Sequence, residues 1–179
     1  MNSWHDIDPK YTEKDFLAII EITKGSKVKY ELDKETGLLK LDRILYTSTH
    51  YPANYGFIPR SYARDLDPLD VLLISSEPIL PLTLVHCKPL GVIRMKDSGF
   101  DDEKIIAVAL DDPSFSSYQD ISELPEHLFS EMQHFFEVYK ALEGKETAVE
   151  SLGTREDAVE IIQDALDRYR EKFGKAEEL

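Results

Sequence analysis

The densest run of chemically active side chains in this sequence is Asp65-Leu66-Asp67-Pro68-Leu69-Asp70, directly before the apolar residues 71–74. Carboxylates so close together repel one another unless a cation lies among them. Hard oxygen ligands favour Mg²⁺, Mn²⁺ or Ca²⁺. Taken alone, the run is as typical of an acidic surface turn as of a metal site. It does not fit an EF-hand calcium loop, because Asp70 and Ser76 stand where that loop needs glycine and glutamate.

A second acidic group contains Asp97, Asp101 and Asp102, around the predicted hairpin turn Asp97-Ser98-Gly99-Phe100. Lys104 follows Asp102 by two positions, so both side chains lie on one face if the following strand extends that far. By itself such a turn is typical of solvated surface. It gains meaning when it is combined with the first group.

Two cationic segments are candidates for binding an anion. In Val28-Lys29-Tyr30-Glu31-Leu32 the polar residues alternate with apolar ones, so Lys29 and Glu31 share a strand face. A half-exposed strand with a solvated face is the structural alternative. A hairpin would bring Arg43 near Lys29, and the guanidinium fork and the ammonium point charge both suit phosphate oxygens.

Two aromatic segments add further candidates. Tyr55 lies in the aromatic segment 51–59, where its hydroxyl is placed to meet an anion if it does not simply pack. Tyr139 lies on the apolar stripe of a predicted helix, for which core packing is the default. Lys140 points elsewhere around that helix unless the helix end bends it inward.

The elements that must position these side chains change character near residue 120. Before it, short apolar runs alternate with turn signals and predict strands at residues 17–22, 28–32, 38–45, 71–74, 90–95 and 105–110, with a hairpin turn at Glu35-Thr36-Gly37. After it, one apolar stripe predicts a helix that could stop at Gly144. A second helix is predicted after the N-cap Thr154, with Asp157 three residues on and Gly174 past its end.

These elements predict a single α+β, mainly β, domain over residues 1–179, with a β-barrel at about 15–120 and two C-terminal helices at about 121–174. The net charge of −14 opposes nucleic-acid binding. No apolar run has the length of a membrane span, and the N-terminus shows no signal pattern. The lone Cys87 cannot form an internal disulfide, and packing is its default role. We therefore expect a cytoplasmic protein that binds neither nucleic acid nor membrane.

Together these segments resemble the soluble family I inorganic pyrophosphatases in their short prokaryotic form, from about residue 19 to residue 140. The matching stretches, in order, are Ile20-Glu21-Ile22, Lys29-Tyr30-Glu31, Asp42-Arg43, Tyr51-Pro52-Ala53-Asn54-Tyr55-Gly56, residues 65–71, Gly91-Val92, Asp97 with Asp102 and Lys104, and residues 134–140. A single stretch of this kind can occur by chance. All of them in order, at the family's spacing, form a specific signal.

The resemblance implies an OB-like five-stranded barrel with the active site at one end. It implies hydrolysis of pyrophosphate with several Mg²⁺ ions, or Mn²⁺ or another divalent ion, in a homohexamer. Metal binding is implied for Asp65, Asp70, Asp97 and Asp102, and through water for Glu31. Phosphate binding is implied for Lys29, Arg43, Lys104, Tyr139 and Lys140. Tyr55 and Glu21 would line the site, and Asp67 would accept a proton from the attacking water or support the hydroxide.

Two residues depart from the family's pattern. Leu66 stands where a small or polar residue is usual, which bears on the shape of the loop backbone. Ser98 stands where some relatives carry an acid. Two other functions remain open from the residues: a metal-dependent phosphatase acting on other phosphoanhydrides or on organic esters, and a non-catalytic OB-like module that binds nucleic acid or Ca²⁺. The net charge and the failed calcium-loop pattern oppose the second.

Overall fold

The computed structural model describes residues 1–174, which form eight strands, two α-helices and two short 3₁₀ turns. The strands are β1 (Phe16–Ile22), β2 (Val28–Leu32), β3 (Leu39–Ile44), β4 (Asn54–Phe57), β5 (Asp70–Ile74), β6 (Leu84–Asp97), β7 (Phe100–Ala109) and β8 (Thr147–Gly153). The helices are α1 (Glu126–Val138) and α2 (Arg155–Phe173).

Five strands form a closed ring. β1 pairs with β4, β4 with β5, β5 with β7, β7 with β6, and β6 returns to β1. All of these pairings are antiparallel except the parallel pair of β5 and β7. Gly56 on β4 permits the close approach to β1, since a Cβ there would lie 1.9 Å from the Ile19 carbonyl oxygen. The ring is the predicted OB-like five-stranded barrel, and closure leaves its strands without free edges.

β6 is long enough to pair with two different strands along the same edge. Its first residues pair with β1, and residues from Val92 onward pair with β8. The register with β7 shifts between Pro89 and Gly91, which is a bulge that bends the strand. Proline fits there because it lacks the N–H that a regular ladder needs. β8 therefore extends the sheet beyond the ring.

β2 and β3 form a separate hairpin whose register places Lys29 opposite Arg43. This pairing confirms the expected closeness of the two residues. The turn ends at Gly37, whose φ of 74° is in the left-handed region, and Asp33 N–H donates to the Leu38 carbonyl at 2.7 Å. The hairpin packs against the mouth of the ring through Leu32, which is buried with Trp4, Ile19 and Phe57.

The two helices pack against the ring in two different clusters of the hydrophobic core. α2 begins at the predicted N-cap Thr154, which forms a reciprocal capping box with Asp157. Its residues Ala158, Ile162 and Leu166 are buried with residues of β1, β5 and β7. α1 instead packs Met132, Phe135 and Phe136 against the other face, together with Tyr51 and Leu72. The buried Cys87 also belongs to the core, as expected, and its thiol donates to the Phe16 carbonyl at 3.5 Å.

The predicted strands all occur, but β4 and β8 were not predicted. β4 is short and contains a glycine, and pairing on both sides makes it a strand. β8 lies within the segment predicted to be helical, where it adds to the edge of β6. The first helix was predicted to continue to Leu142. It ends at Val138, and Leu142 is 70% exposed because the chain turns away from the core after Tyr139.

Candidate active site

A polar cleft of about 510 Å³ opens at one end of the ring, beside the β2–β3 hairpin. The register of the strands explains why charged side chains lie close together at this end. Asp70 begins β5 and pairs with Lys104 of the parallel strand β7, and Phe57 of β4 pairs with Asp70 from the other side. The cleft is lined by every residue assigned a site role from the sequence except Arg43: Glu21, Lys29, Glu31, Tyr55, Asp65, Asp67, Asp70, Asp97, Asp102, Lys104, Tyr139 and Lys140.

Asp65, Asp70 and Asp102 form the tightest group of carboxylates in the cleft. Each offers one oxygen, and the three oxygens lie within 4.8 Å of one another. They come from the loop before β5, from β5 itself and from β7. Asp67, the middle aspartate of the sequence run, does not belong to this group. The structure thus divides that run between Asp65 and Asp70 on the one hand and Asp67 on the other.

Lys104 lies beside Asp70 and Asp102 of this group and is 2% exposed. Its ammonium donates to Asp70 at 2.9 Å, to Asp102 at 3.1 Å and to the Tyr55 hydroxyl at 2.9 Å. Asp102 and Lys104 therefore share a face of β7, as their spacing predicted. A buried ammonium requires such partners, because an unpaired charge in a dry site is costly. Although burial acts to lower it, Asp102 and Asp70 hold the pKa of Lys104 well above its usual value.

The carboxylates of the group carry more negative charge than Lys104 can balance. Burial, followed by the charges of Asp70 and Asp102, raises the pKa of Asp65 to about 7. Burial also raises the pKa of Asp102, and the neighbouring charge of Asp70 adds to the effect. A cation bound among these carboxyl groups would remove the part of each shift that comes from their mutual repulsion, which favours binding.

Asp97 lines the same cleft at the end of β6. Lys140 forms an ion pair with it, and the Tyr139 hydroxyl donates to it at 3.5 Å. Although burial opposes the shift, the Lys140 hydrogen bond and charge lower the pKa of Asp97. The chain leaves the helical conformation after Tyr139, at Lys140. This turn directs Lys140 into the cleft. The sequence had indicated that Lys140 could contribute to a site only if the end of the helix bent it inward.

The β2–β3 hairpin contributes Lys29 and Glu31 to the lining of the cleft. Lys29 Nζ lies 2.5 Å from Glu31 and 3.3 Å from Asp42, so the predicted shared face of Lys29 and Glu31 is confirmed. Arg43 faces a different direction, with its guanidinium 2.5 Å from Asp42 and 2.7 Å from Glu143. Arg43 is thus brought next to Lys29 by the hairpin but not into the cleft. Its role in binding phosphate stays a prediction.

Glu21 and Tyr55 form the floor of the cleft. Glu21 accepts a hydrogen bond from the Leu32 N–H at 2.8 Å, which ties β1 to the end of β2. Burial raises the pKa of Glu21 to about 8. Burial and the charge of Asp70 raise the pKa of Tyr55 well above its usual value, so that its phenol keeps its proton.

Asp67 lies at the mouth of the cleft in an unusual loop. Its N–H donates to Asp65 at 3.2 Å, and its carbonyl accepts from the Ala63 N–H at 2.8 Å. Leu66, the departure noted in the sequence, has a φ of 68° and is 60% exposed. That left-handed conformation is unfavourable for leucine. Leu66 stands between Asp65, which joins the carboxylate group, and Asp67, which pairs with Lys34 instead.

Four charged residues of the cleft lining were not predicted from the sequence: Asp33, Lys34, Glu35 and Lys40. All four belong to the β2–β3 hairpin. Lys34 forms an ion pair with Asp67. The predicted hairpin could have indicated them. Lys29 and Glu31 of its first strand were already assigned to the site, and the turn residues follow these directly in the sequence.

The geometry can be compared with known proteins. The family model described as "Inorganic pyrophosphatase" matches residues 18–170. The chain belongs to the inorganic pyrophosphatase family. It is 52% identical to soluble inorganic pyrophosphatase 1 of Arabidopsis thaliana over 169 residues, which cover 94% of this chain and 80% of that protein. It is 47% identical to soluble inorganic pyrophosphatase 2 of Chlamydomonas reinhardtii, covering 95% of this chain and 89% of that protein.

Solved structures of the family have the same fold. The inorganic pyrophosphatase of Thermus thermophilus superposes with a TM-score of 0.91 at 38% identity, covering 95% of this chain and 99% of that one. The Helicobacter pylori enzyme gives a TM-score of 0.89 at 38% identity, covering 93% and 99%. The resemblance inferred from the motifs is confirmed, as is the fold that it implied.

The donor set of this family member fits a hard divalent cation. Ligands on opposite sides of Mg²⁺ lie about 4.2 Å apart, since each bond is about 2.1 Å. Neighbouring ligands lie about 3.0 Å apart, and at most one pair among three ligands is opposite. The oxygens of Asp65, Asp70 and Asp102, which lie within 4.8 Å of one another, must therefore move closer together when an ion binds. All three donors are carboxylate oxygens, the ligand type that Mg²⁺, Mn²⁺ and Ca²⁺ prefer.

Within residues 1–174, no helix combines the length and the apolar character that crossing a membrane requires.

Proposed function

We propose that this chain hydrolyses inorganic pyrophosphate to two phosphates in a Mg²⁺-dependent reaction within the cleft. Membership of the inorganic pyrophosphatase family supports the substrate and the reaction. The main observation in support of the metal dependence is the net negative charge of the residues that line the cleft. Nine carboxylates face five lysines there, a formal excess of four negative charges. A pyrophosphate anion would be repelled from such a site unless bound cations reversed the local field.

The proposed metal ligands are Asp65, Asp70 and Asp102, with Asp97 and Glu31 serving further ions. Bound Mg²⁺ would supply positive charge to the phosphate oxygens and lower the pKa of water from about 15.7 toward about 7. Mn²⁺ or another divalent ion would serve the same ligands, because they are all hard oxygen donors.

The cations of the chain would hold the substrate. In the structure both lysines pair with carboxylates: Lys29 lies 2.5 Å from Glu31, and Lys140 contacts Asp97. Binding of metal to these carboxylates would release both ammonium groups toward phosphate oxygens. Lys104 would stay beside Asp70 and Asp102 and contribute its charge to the phosphate oxygens, and Tyr139 would donate its hydroxyl to the anion. Such positioning and charge stabilisation contribute most of the catalysis in phosphoryl transfer.

Asp67 is the proposed general base. It lies beside the carboxylate group without belonging to it, and its side chain is 54% exposed at the mouth of the cleft. It would accept the proton of the attacking water. Tyr55 accepts a hydrogen bond from Lys104 and keeps its own proton, so it would donate to the reacting phosphate.

Release of phosphate from pyrophosphate, measured with Mg²⁺ and after chelation, tests the proposal. We expect turnover with Mg²⁺ and almost none in chelator, with recovery when Mg²⁺ is restored. Parallel assays with tripolyphosphate, a nucleoside triphosphate and an aryl phosphate compare the substrates. Failure to turn over pyrophosphate with Mg²⁺, Mn²⁺ or Ca²⁺ would refute the proposed activity, and faster turnover of an ester would refute the proposed substrate.

The homohexamer and the cytoplasmic location implied by the sequence are part of this proposal. Sedimentation velocity at several protein concentrations measures the assembly directly. A species of six times the 20.5 kDa chain mass is expected, and a monomer at all concentrations would contradict it.

A further inference from the structure

A lysine outside the predicted set stands at the mouth of the cleft. Lys34 belongs to the turn between β2 and β3, lines the cleft and forms an ion pair with Asp67. The pair is half in water, with Lys34 48% and Asp67 54% exposed. Ion pairs so exposed are held weakly, because water screens the charges and long side chains lose freedom. Lys34 is therefore available to a stronger anion that enters the cleft.

The N-terminal segment fixes the turn that carries Lys34. The Asn2 side-chain amide donates to the Lys34 carbonyl at 2.7 Å. Gly37, at the end of the same turn, lies so close to this segment that a Cβ would be 2.5 Å from the Met1 carbonyl oxygen. The turn is thus held on its backbone from two sides, which limits how far Lys34 can move from the cleft.

Trp4 acts on the Lys34 side chain itself. The ammonium lies 5.5 Å from the centre of the Trp4 ring, within the range of a cation–π contact. The ring is 4% exposed and is anchored by donation from Nε1–H to the Ser61 carbonyl at 2.8 Å. Its position is therefore set by the core rather than by solvent.

We propose that Lys34 is a further phosphate-binding residue of this cleft and that Trp4 is its positioning residue. On substrate binding, the Lys34 ammonium exchanges the Asp67 carboxylate for a phosphate oxygen, because pyrophosphate carries more charge than one carboxylate. The exchange also frees Asp67 from its cation at the stage when it must accept a proton. The inference rests on the proposed function and adds a residue to its substrate-binding set.

Two measurements on full-length variants test Lys34. The first is the steady-state kinetics of pyrophosphate hydrolysis. The second is calorimetric binding of methylene diphosphonate, which is not hydrolysed, in the presence of Mg²⁺. Lys34→Gln should weaken diphosphonate binding and raise KM by about tenfold, the effect expected for one charged hydrogen bond in a partly solvated site. Lys34→Arg, which keeps the charge, should restore most of the binding.

Lys96→Gln provides a matched control. Lys96 forms a similarly exposed ion pair with Asp101, at 40% and 47% exposure, and does not line the cleft. It neighbours Asp97 on β6, but successive strand residues point to opposite faces. Lys96→Gln should leave KM and diphosphonate binding unchanged. If Lys34→Gln behaves like Lys96→Gln in both measurements, the ion pair is only a surface pair and the proposal is overturned.

A double-mutant cycle tests the role of Trp4. Trp4→Leu should raise KM about threefold in the wild-type background and have no further effect on KM once Lys34 is glutamine, because the residue would act through Lys34. An equal rise in both backgrounds would show a general structural effect and overturn the positioning role. Thermal melting monitors folding, and Trp4→Met, which also lacks an aromatic face, replaces Trp4→Leu if the latter does not fold.

The two proposals fail differently. If the wild type binds diphosphonate but releases no phosphate, the proposed activity fails while calorimetry still decides the role of Lys34. If the wild type hydrolyses pyrophosphate and Lys34→Gln matches the wild type, only the inference about Lys34 fails. If the wild type neither binds diphosphonate nor hydrolyses pyrophosphate, both are overturned.

Discussion

Replacing Glu21 by glutamine should make the metal-free protein more stable at alkaline pH. Glu21 is 9% exposed, and burial raises its pKa from 4.5 to about 8. Between these two values the folded state holds a proton that the unfolded state has released. The free energy of unfolding must therefore fall as pH rises from about 4.5 to about 8, and it loses no more beyond that pH.

The size of this loss follows from the shift of the pKa. Each pKa unit corresponds to about 1.4 kcal/mol, so the shift from 4.5 to about 8 amounts to about 5 kcal/mol. Glutamine has nearly the same shape and keeps an oxygen to accept the Leu32 N–H, but it does not ionise. Its amide N–H groups need partners, which costs a pH-independent amount of about 1–3 kcal/mol. The change of the mutational effect with pH is therefore the quantity to measure.

Urea unfolding at pH 5, 6.5 and 9, with EDTA present and protein concentration fixed, provides the assay. Relative to the wild type, Glu21→Gln should gain about 4 kcal/mol of stability between pH 5 and pH 9, since a little of the loss occurs below pH 5. Glu137→Gln, at an exposed position of α1, serves as the control and should show no such gain. Parallel stability curves for the wild type and Glu21→Gln would refute the reasoning, since they would mean that Glu21 is ionised in the folded protein across this range.

Three further substitutions follow from the geometry. Asp67→Asn should lower kcat by about 10²–10⁴-fold while Mg²⁺ affinity is kept, because a general base contributes about that factor; an unchanged pH–rate profile would remove Asp67 from the role. Asp102→Asn should weaken Mg²⁺ binding and lower the free energy of unfolding by about 3 kcal/mol, as buried Lys104 loses a charged partner; unaltered Mg²⁺ binding by calorimetry would contradict this. Leu66→Asn should raise the free energy of unfolding by about 1 kcal/mol, because asparagine tolerates a φ of 68° better than leucine; a loss of stability in urea would argue against strain there.

Alternation and spacing were enough to predict contacts along and between neighbouring strands. Lys29 and Glu31 share a face of β2, and Asp102 and Lys104 share a face of β7, as their spacing of two requires. The reciprocal cap of α2 was readable from Thr154 and Asp157, since a capping box depends on residues three apart. β4 and β8 were not readable, because each becomes a strand through pairing with strands distant in sequence.

The sequence alone determined the acidic loop, its ordered set of cations and the family to which these segments belong, because residue types and spacing are local properties. Only the tertiary structure decided which acids meet. It joined Asp102 to Asp65 and Asp70, left Asp67 outside that group, and turned Arg43 toward Glu143. It also brought the N-terminal segment beneath Lys34. Closure of the ring and packing of the hairpin set these distances, and both depend on contacts between residues far apart in the chain.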